Sequence, residues 1–432
     1  MQKVLVLGAG KSSGFLIDYL AKESAIELKV ADISQENIMA KTNRFPHILT
    51  FWGDLENTEV LSSLVIQSDM VVSLLPPHLH IVVARLCLVH QKHFLTASYV
   101  SQEMRSLHEE AEKKGLLFLM ECGLDPGLDH MSAMRLLDEI KENGGMVTSF
   151  RSYCGGLVAP ESDSNPWGYK VTWNPKNVVL AGQGTTQYLE NGRTKIVPYH
   201  QLFKRTVPLY FDEFGHYEAY ANRDSLSYIP LYGLEKAKTF IRGTIRKKGF
   251  CEAWHYLVQL GLTDTSVVLG KAASVSMKEV LKCFLPGDVS LSQYLQLSEE
   301  DPVYKKLEWL GLQEDIQLCE GQEMEVSPAY ILQKLIEKKW KLLEHDKDMV
   351  LMQHHVSYAL HGVEKNVIST LSVIGEDNGH TAMAKTVGFP LALATLLIAQ
   401  NRLHLRGVQT PIRREIYTPI LNSLENSGIT FT

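Results

Sequence analysis

The stretch VLVLGAGKSSG near the amino terminus sets Gly8 and Gly10 between an apolar run and a helical pattern. With no side chains at those positions, the backbone of a strand-to-helix turn can approach a pyrophosphate, and the first amides of the helix face the anion. The usual dinucleotide fingerprint carries a third glycine where Ser13 stands, and Gly14 follows, so the spacing is G-x-G-x-x-x-G with Lys11, Ser12 and Ser13 inside the turn. Asp32 ends the next apolar run, VAD. A carboxylate there accepts from a ribose hydroxyl and repels a 2′-phosphate, which favours NAD, while Lys11 and Arg44 leave NADP possible. Asp54, after TFWG, suits either an adenine edge or a solvated turn.

Ligands of open α/β sheets bind outside the carboxyl ends of the strands. That rule nominates SLLPPHLH with Leu75, TASY with Ala97, Ser98 and Tyr99, and ECGLDPGLDH with Leu124, Asp125 and Pro126. Other chemistries lack their signatures. His354 and His355 are neighbours in a strand pattern and so face opposite sides, no H-E-x-x-H helix or cysteine cluster points to a metal, and no serine-nucleophile or P-loop motif occurs.

The elements that must position these residues are legible as alternating patterns. From Met1 to about Leu124, the runs KVLVL, IELKVAD, HILTF, MVVSLL, HFLTA and LLFLM alternate with helix-spaced segments such as GFLIDYLAKES and SQEMRSLHEEAEKKG, the latter stopped by Gly115. That rhythm predicts a doubly wound parallel sheet. Beyond it, FRSYCGGLVAP and NPWGYKVTWNP read as aromatic strands between loops, Gly233 to Glu344 as a helical insertion, and DMVLMQHHVSYAL and KNVISTLSVIGED as returning strands. The expected division is 1–125, completed by 411–432, for dinucleotide binding; 126–232 with 346–410 for a mixed α/β domain; and 233–345 for the helices.

A chain of 432 residues with 45% hydrophobic content builds two or three cores. A net charge of −6 offers no basic field for nucleic acid or an anionic membrane. The apolar run FPLALATLLIAQ is shorter than a membrane span and contains Pro390, so it reads as a buried helix. Six scattered cysteines without a C-x-x-C pair fit free thiols in a reducing, cytoplasmic setting.

Several blocks, in order, carry more specific information: TASYVS, GLDPGLDHMSAM, SYCGGLVAPE, YANRDS, IRGTIRKKGF and TAMAKTVGFP. Together they resemble the glutamate-forming saccharopine dehydrogenases, including the C-terminal half of the animal bifunctional aminoadipic semialdehyde synthases, over nearly the whole chain. Departures are SSG after the glycines, VAP in the CGG block, and an abbreviated stretch around SVVLGKAAS. The resemblance implies a variant Rossmann domain, a mixed α/β domain that binds substrate and forms a homodimer, and an inserted helical domain. It implies oxidation of saccharopine to L-glutamate and 2-aminoadipate 6-semialdehyde with NAD or NADP. It also assigns Arg223, Thr244 and Arg246 to substrate, with Arg242 a lesser neighbour, Ser98 and Tyr99 to substrate and cofactor, and Leu124 to Pro126 to the nicotinamide.

The chemistry agrees with those residue types. Saccharopine carries three carboxylates, which the planar guanidinium fork of arginine binds with paired hydrogen bonds. Oxidation beside its secondary amine needs that nitrogen unprotonated, and imine hydrolysis needs proton transfer. Asp125 and Tyr99 lead as acid–base groups, then Cys154, then His130 and Lys385. Each has a plainer role open to it: a turn for Asp125-Pro126-Gly127, core packing for Tyr99, a small buried thiol for Cys154, a cap for His130, a loop anchor for Lys385. Two other functions remain open, a dehydrogenase for another secondary amine such as a carboxylated polyamine precursor, and a dinucleotide-binding sensor without turnover.

Overall fold

A computed structural model describes residues 1–269 and 271–432, without the side chains of 271–275 and 319–324. Gly270 of SVVLGKAAS and the Cys319 thiol therefore lie outside the described residues. The chain forms two compact units, one of residues 1–147, 358–365 and 369–432, the other of residues 148–357 and 366–368.

The six expected strands of the first unit form as β1 (Gln2–Leu7), β2 (Ile26–Asp32), β3 (Leu49–Trp52), β4 (Met70–Ser73), β5 (His93–Thr96) and β6 (Leu117–Leu119). With the short strand Gly407–Gln409 they make one sheet in the order Gly407–Gln409, β6, β5, β4, β1, β2, β3, every pairing parallel. Central strands are apolar throughout because helices cover both faces. Leu5, Leu7, Val71, Phe94 and Phe118 share a core with Leu61, Leu64, Val83 and Cys87. Register aligns the carboxyl ends: Ala31 stands beside Leu7, Leu7 beside Ser73, and Ser73 beside Thr96. The strand order reverses between β1 and β4, so the crevice outside Leu7 and Ser73 is the ligand position of this architecture.

The helix Ala382–Ala399 has the length and apolar composition of a membrane span, but its residues are mostly buried within the fold. It lies against the helix Gly14–Ala21, with the Phe389 ring 4.9 Å from Phe15 and 5.0 Å from Tyr19. At Gly388 a Cβ would stand 2.9 Å from the Leu16 nitrogen, so glycine is what permits this approach. The segment expected as one helix at 102–114 breaks at Leu107 into Gln102–Ser106 and His108–Lys113.

The second unit is organised by β7 (Met146–Val158), β8 (Thr185–Glu190), β9 (Arg193–Pro198), β10 (Val207–Phe211), β11 (Gly215–Ala221) and β12 (Thr239–Lys247). A small pair, β13 (Lys271–Ser276) and β14 (Gln317–Glu325), stands apart, and β15 (Asp348–Leu360) and β16 (Val363–Ile374) follow. The main sheet runs β10, β11, β12, β7, β15, β16, with β8 against β12 and β9 against β8. Trp167, Tyr169, Phe250, Trp254 and Trp340 anchor its aromatic core together with the helix Pro328–Lys339.

The two observed units run differently from the expected division, and one strand expectation is corrected. The first unit extends to residue 147 and takes in 369–432, because the helix Leu128–Glu142 packs on the helix Arg414–Asn426, where Tyr417 donates to Asp138 at 2.6 Å. Within residues 233–345, β12 lies in the middle of the main sheet, and the helices follow from Phe250 onward. NPWGYKVTWNP is not a strand: Trp167 and Tyr169 sit in irregular chain, buried in the core, and within this stretch only Val171 makes a bridge, to Lys341.

Candidate active site

In the first unit, Gly8 has φ +101°, and a Cβ there would meet the Leu74 carbonyl oxygen at 2.9 Å. Its amide donates to the Ala31 carbonyl, and Leu74 donates to Leu7, which locks the turn to both neighbouring strands. At Gly10, by contrast, a Cβ would meet nothing within 4 Å. The backbone there is open on the side where a phosphate would approach, so the residues present fit a dinucleotide. Ser13 is buried where the third glycine was expected, and its hydroxyl donates to the Gly10 carbonyl at 2.8 Å, closing the turn from within. Ser12 is half-buried and Lys11 exposed beside it.

Asp32 does not stand free to select a ribose. Its Oδ2 accepts from the Ala9 amide at 2.6 Å and its Oδ1 from the Ser34 amide at 2.8 Å. The carboxylate braces the turn, which removes the main ground for expecting NAD. Arg44 is paired with Asp18. Asp54 accepts from the Glu56 amide at 2.8 Å in an exposed turn.

At the ends of β5 and β6 the structure brings Tyr99 and Asp125 together. Tyr99 is 48% exposed, which excludes a core role, and its hydroxyl donates to Asp125 Oδ1 at 3.0 Å. Leu124 and Pro126 are buried on either side of Asp125, while Leu75, Ala97 and Ser98 are half-buried at the ends of β4 and β5. The loop that carries Asp125 is folded back tightly. Gly127 has φ +145°, and a Cβ on it would overlap Gly123 at 2.2 Å.

Three residues at this edge of the sheet were not singled out by sequence. Glu121, buried and in a left-handed backbone conformation, accepts from the Val100 amide at 2.9 Å through Oε1 and pairs through Oε2 with His130 Nε2, also at 2.9 Å. Asp129 Oδ1 accepts from the Gly127 amide at 2.6 Å, and its Oδ2 stands 3.6 Å from His130 Nδ1. His130 therefore ties the Tyr99 loop to the Asp125 loop and is no acid–base candidate. His80, within SLLPPHLH, is the third: its ring lies between Ser73 and Ser98, at 2.9 and 2.7 Å. A histidine one turn into the helix that follows a strand was the available signal.

In the second unit, Tyr220 pairs in register with Thr244, and Thr244 with Cys154, so the three lie side by side on one sheet face. Arg242 and Arg246 alternate onto that face with Thr244. Ile241 and Ile245 point the other way into a core with Tyr153 and Leu351. Arg246 is 4% exposed. Its Nη1 donates to the Ile245 carbonyl at 2.9 Å, its Nη2 reaches the Tyr220 hydroxyl at 3.3 Å, and its Nε has no partner. The rings of Tyr169, Phe250 and Tyr220 surround the guanidinium at 5.3 to 5.7 Å. Burial draws its pKa down, but nearby Tyr220, Tyr169, Cys251 and Cys154 outweigh that effect and raise it. The group is a fixed cation.

Thr244 donates to Asn222 at 2.7 Å. Arg242 is buried over the Tyr228 ring at 4.2 Å. Arg223 is exposed and makes no ion pair among the described residues; Asp224 instead accepts from the Leu226 and Ser227 amides. Lys385 is half-buried in the helix Ala382–Ala399.

A reversing parallel sheet with an open glycine turn and an acid–phenol pair beyond its carboxyl edge defines a dinucleotide-binding α/β oxidoreductase. Residues 4–119 match the family model of the saccharopine dehydrogenase NADP binding domain, and residues 123–429 that of the saccharopine dehydrogenase C-terminal domain. The saccharopine dehydrogenase [NADP(+), L-glutamate-forming] of Schizosaccharomyces pombe is 30% identical over 99% of this chain and 98% of its own length. The mitochondrial alpha-aminoadipic semialdehyde synthase of Bos taurus is 36% identical over the whole chain, which spans 47% of that larger protein. The solved apo saccharopine dehydrogenase (L-Glu forming) of Saccharomyces cerevisiae superposes with a TM-score of 0.87 at 29% identity, covering 100% of this chain and 99% of that one. The chain belongs to the saccharopine dehydrogenase family. Its dinucleotide unit is of the NADP-binding kind, which corrects the expectation of NAD as the primary cofactor.

Proposed function

We propose that this chain catalyses the reversible oxidative cleavage of saccharopine to L-glutamate and 2-aminoadipate 6-semialdehyde, with NADP as cofactor. The observation that carries the reading is Arg246. A buried guanidinium with an unpartnered Nε and no carboxylate paired with it among the described residues is costly unless a ligand supplies the anion. A substrate with three carboxylates supplies it, and an uncharged amine does not. Arg223, exposed and without an ion pair among the described residues, is a second donor to the same class of ligand.

The glycine turn at Gly8 and Gly10 holds the dinucleotide, whose nicotinamide accepts a hydride when bound. Asp125, held by the Tyr99 hydroxyl, is the carboxylate that pairs with the substrate's secondary amine and takes its proton. The carbon beside that nitrogen loses the hydride and a C=N bond forms. Water adds to it, the C–N bond breaks, and the products are the aldehyde and the amino group of glutamate. Each turnover consumes one water and releases one proton.

The test is reduced-nicotinamide formation with saccharopine, run with NADP and with NAD and with glutamate assayed in the same samples. Glutamate rising in step with the reduced cofactor, faster with NADP, is the expected result. Absence of turnover with both cofactors, in protein shown to bind one of them, would overturn the reading. We further propose a homodimer, checked by sedimentation, and a cytoplasmic location, supported by five free cysteines among the described residues and checked by fractionation.

A further inference from the structure

His80 lies 4% exposed on the helix Pro77–His90, with Nδ1 2.9 Å from Ser73 Oγ and Nε2 2.7 Å from Ser98 Oγ. Burial, and then the neighbouring His78, lowers its pKa to about 4, so the ring is neutral near pH 7. A neutral imidazole has one donor nitrogen and one acceptor nitrogen, and the structure decides which is which. Ser73 is fully buried at the end of β4, and His80 Nδ1 is the sole hydrogen-bond partner of its Oγ among the described residues. A buried hydroxyl proton left without an acceptor costs more than an unused lone pair. Ser73 therefore donates to Nδ1, the ring proton sits on Nε2, and Nε2 donates to Ser98.

We propose that His80 is a positioning residue that commits Ser98, two residues beyond the end of β5, to donate its own hydroxyl proton to a ligand oxygen. With Ser98 Oγ already accepting from Nε2–H, its proton is turned toward the half-exposed side. The group it meets must be an acceptor, either a carboxylate of the amino-acid substrate or the amide carbonyl of the nicotinamide. The opposite tautomer would make Ser98 an acceptor, suited to an ammonium group. Ser73, His80 and Ser98 thus form a one-way chain of donors that runs from the core to the carboxyl edge of the sheet. The identity of the ligand rests on the saccharopine reading; the direction of the chain does not.

Three variants and one spectrum test this. His80→Leu, which donates nothing, is expected to lower kcat/KM for saccharopine about 10- to 100-fold. His80→Gln, which keeps an N–H near the Nε2 position, should recover most of that loss. Ser73→Ala should fall between them, because the ring is then free to adopt either tautomer. A raised KM for saccharopine with unchanged dinucleotide affinity by fluorescence titration assigns the acceptor to the substrate, and weakened dinucleotide affinity assigns it to the nicotinamide. His80→Gln no better than His80→Leu, with both folded by thermal melting, would overturn the proposal. Should the variants not fold, NMR of isotope-labelled histidine nitrogens in the intact protein decides: a protonated Nε2 and bare Nδ1 on His80 are expected, and the reverse refutes the direction. That spectrum needs no substrate, so failure of the saccharopine assay and failure of this inference are separate results.

Discussion

The Tyr99 hydroxyl donates to Asp125 Oδ1 across 3.0 Å, joining the loop after β5 to the loop after β6. A phenol donating to a carboxylate fixes the orientation of both groups, so the two residues are proposed to act as one group. Asp125→Asn removes the proposed proton acceptor and should reduce kcat by about 10²- to 10⁴-fold. Tyr99→Phe removes only the orienting bond, and a loss of about 10-fold is expected. Steady-state kinetics on both variants and the double mutant check this; losses that simply multiply in the double mutant would mean that the pair is not coupled.

Arg246 gives opposite signs for stability and binding. Arg246→Met removes a buried cation that no carboxylate among the described residues compensates, so the ligand-free protein should melt at higher temperature. The KM for saccharopine should rise about 30-fold or more with the loss of a charge-assisted pair. Scanning calorimetry and initial rates read the two effects. A variant that is both less stable and unchanged in KM would make Arg246 a packing residue.

How much of this could be read beforehand differs between the two units. All six Rossmann strands were visible as short apolar runs, the central ones covered on both faces, as in β4 with all four residues buried, whereas the edge strand β3 is largely exposed. The seventh, Gly407–Gln409, has three residues and no pattern of its own; it exists because β6 offers a parallel edge. β12 was hidden by two of its own side chains. Arg242 and Arg246 occupy positions that would be apolar in an ordinary buried strand, which broke the pattern and left TFIRGTIRK inside a segment read as helical. At the site, Gly8, Tyr99 and Asp125 were recognisable by position relative to strand ends. The Glu121–His130 tie and the Ser73–His80–Ser98 chain are not, since they join residues from different strands and loops whose adjacency only the sheet register creates.

Asp32 should behave as a structural brace rather than a cofactor selector. Its oxygens accept from the Ala9 and Ser34 amides at 2.6 and 2.8 Å. Asp32→Ala frees both amides, and a loss of roughly 2 kcal/mol in unfolding free energy is expected. Affinities for NAD and NADP should weaken together, their ratio shifting by less than about threefold. A large gain for NADP alone would show instead that the carboxylate opposes the 2′-phosphate directly.

His80 also predicts a stability profile. Its pKa is lowered by burial and by His78 from 6.5 to about 4 in the folded protein. His255 is lowered likewise to about 4 by burial, Lys204 and His200, and neither of its ring nitrogens has a hydrogen-bond partner. Between about pH 6.5 and 4 the unfolded chain holds more protons on these groups than the folded one, so stability rises with pH across that window. Read downward, the contribution is complete above pH 6.5 and is lost as the pH falls toward 4. For His80 the whole effect is roughly 3 kcal/mol, about half of it between pH 6.5 and 5, where carboxylates contribute little. Urea unfolding at about pH 7.5 and about pH 5 should therefore show a clear loss in the parent protein and a smaller one in His80→Gln, whose side chain takes up no proton. Equal losses in the two proteins would place the His80 pKa near its ordinary value and remove the case for a permanently neutral ring behind Ser98.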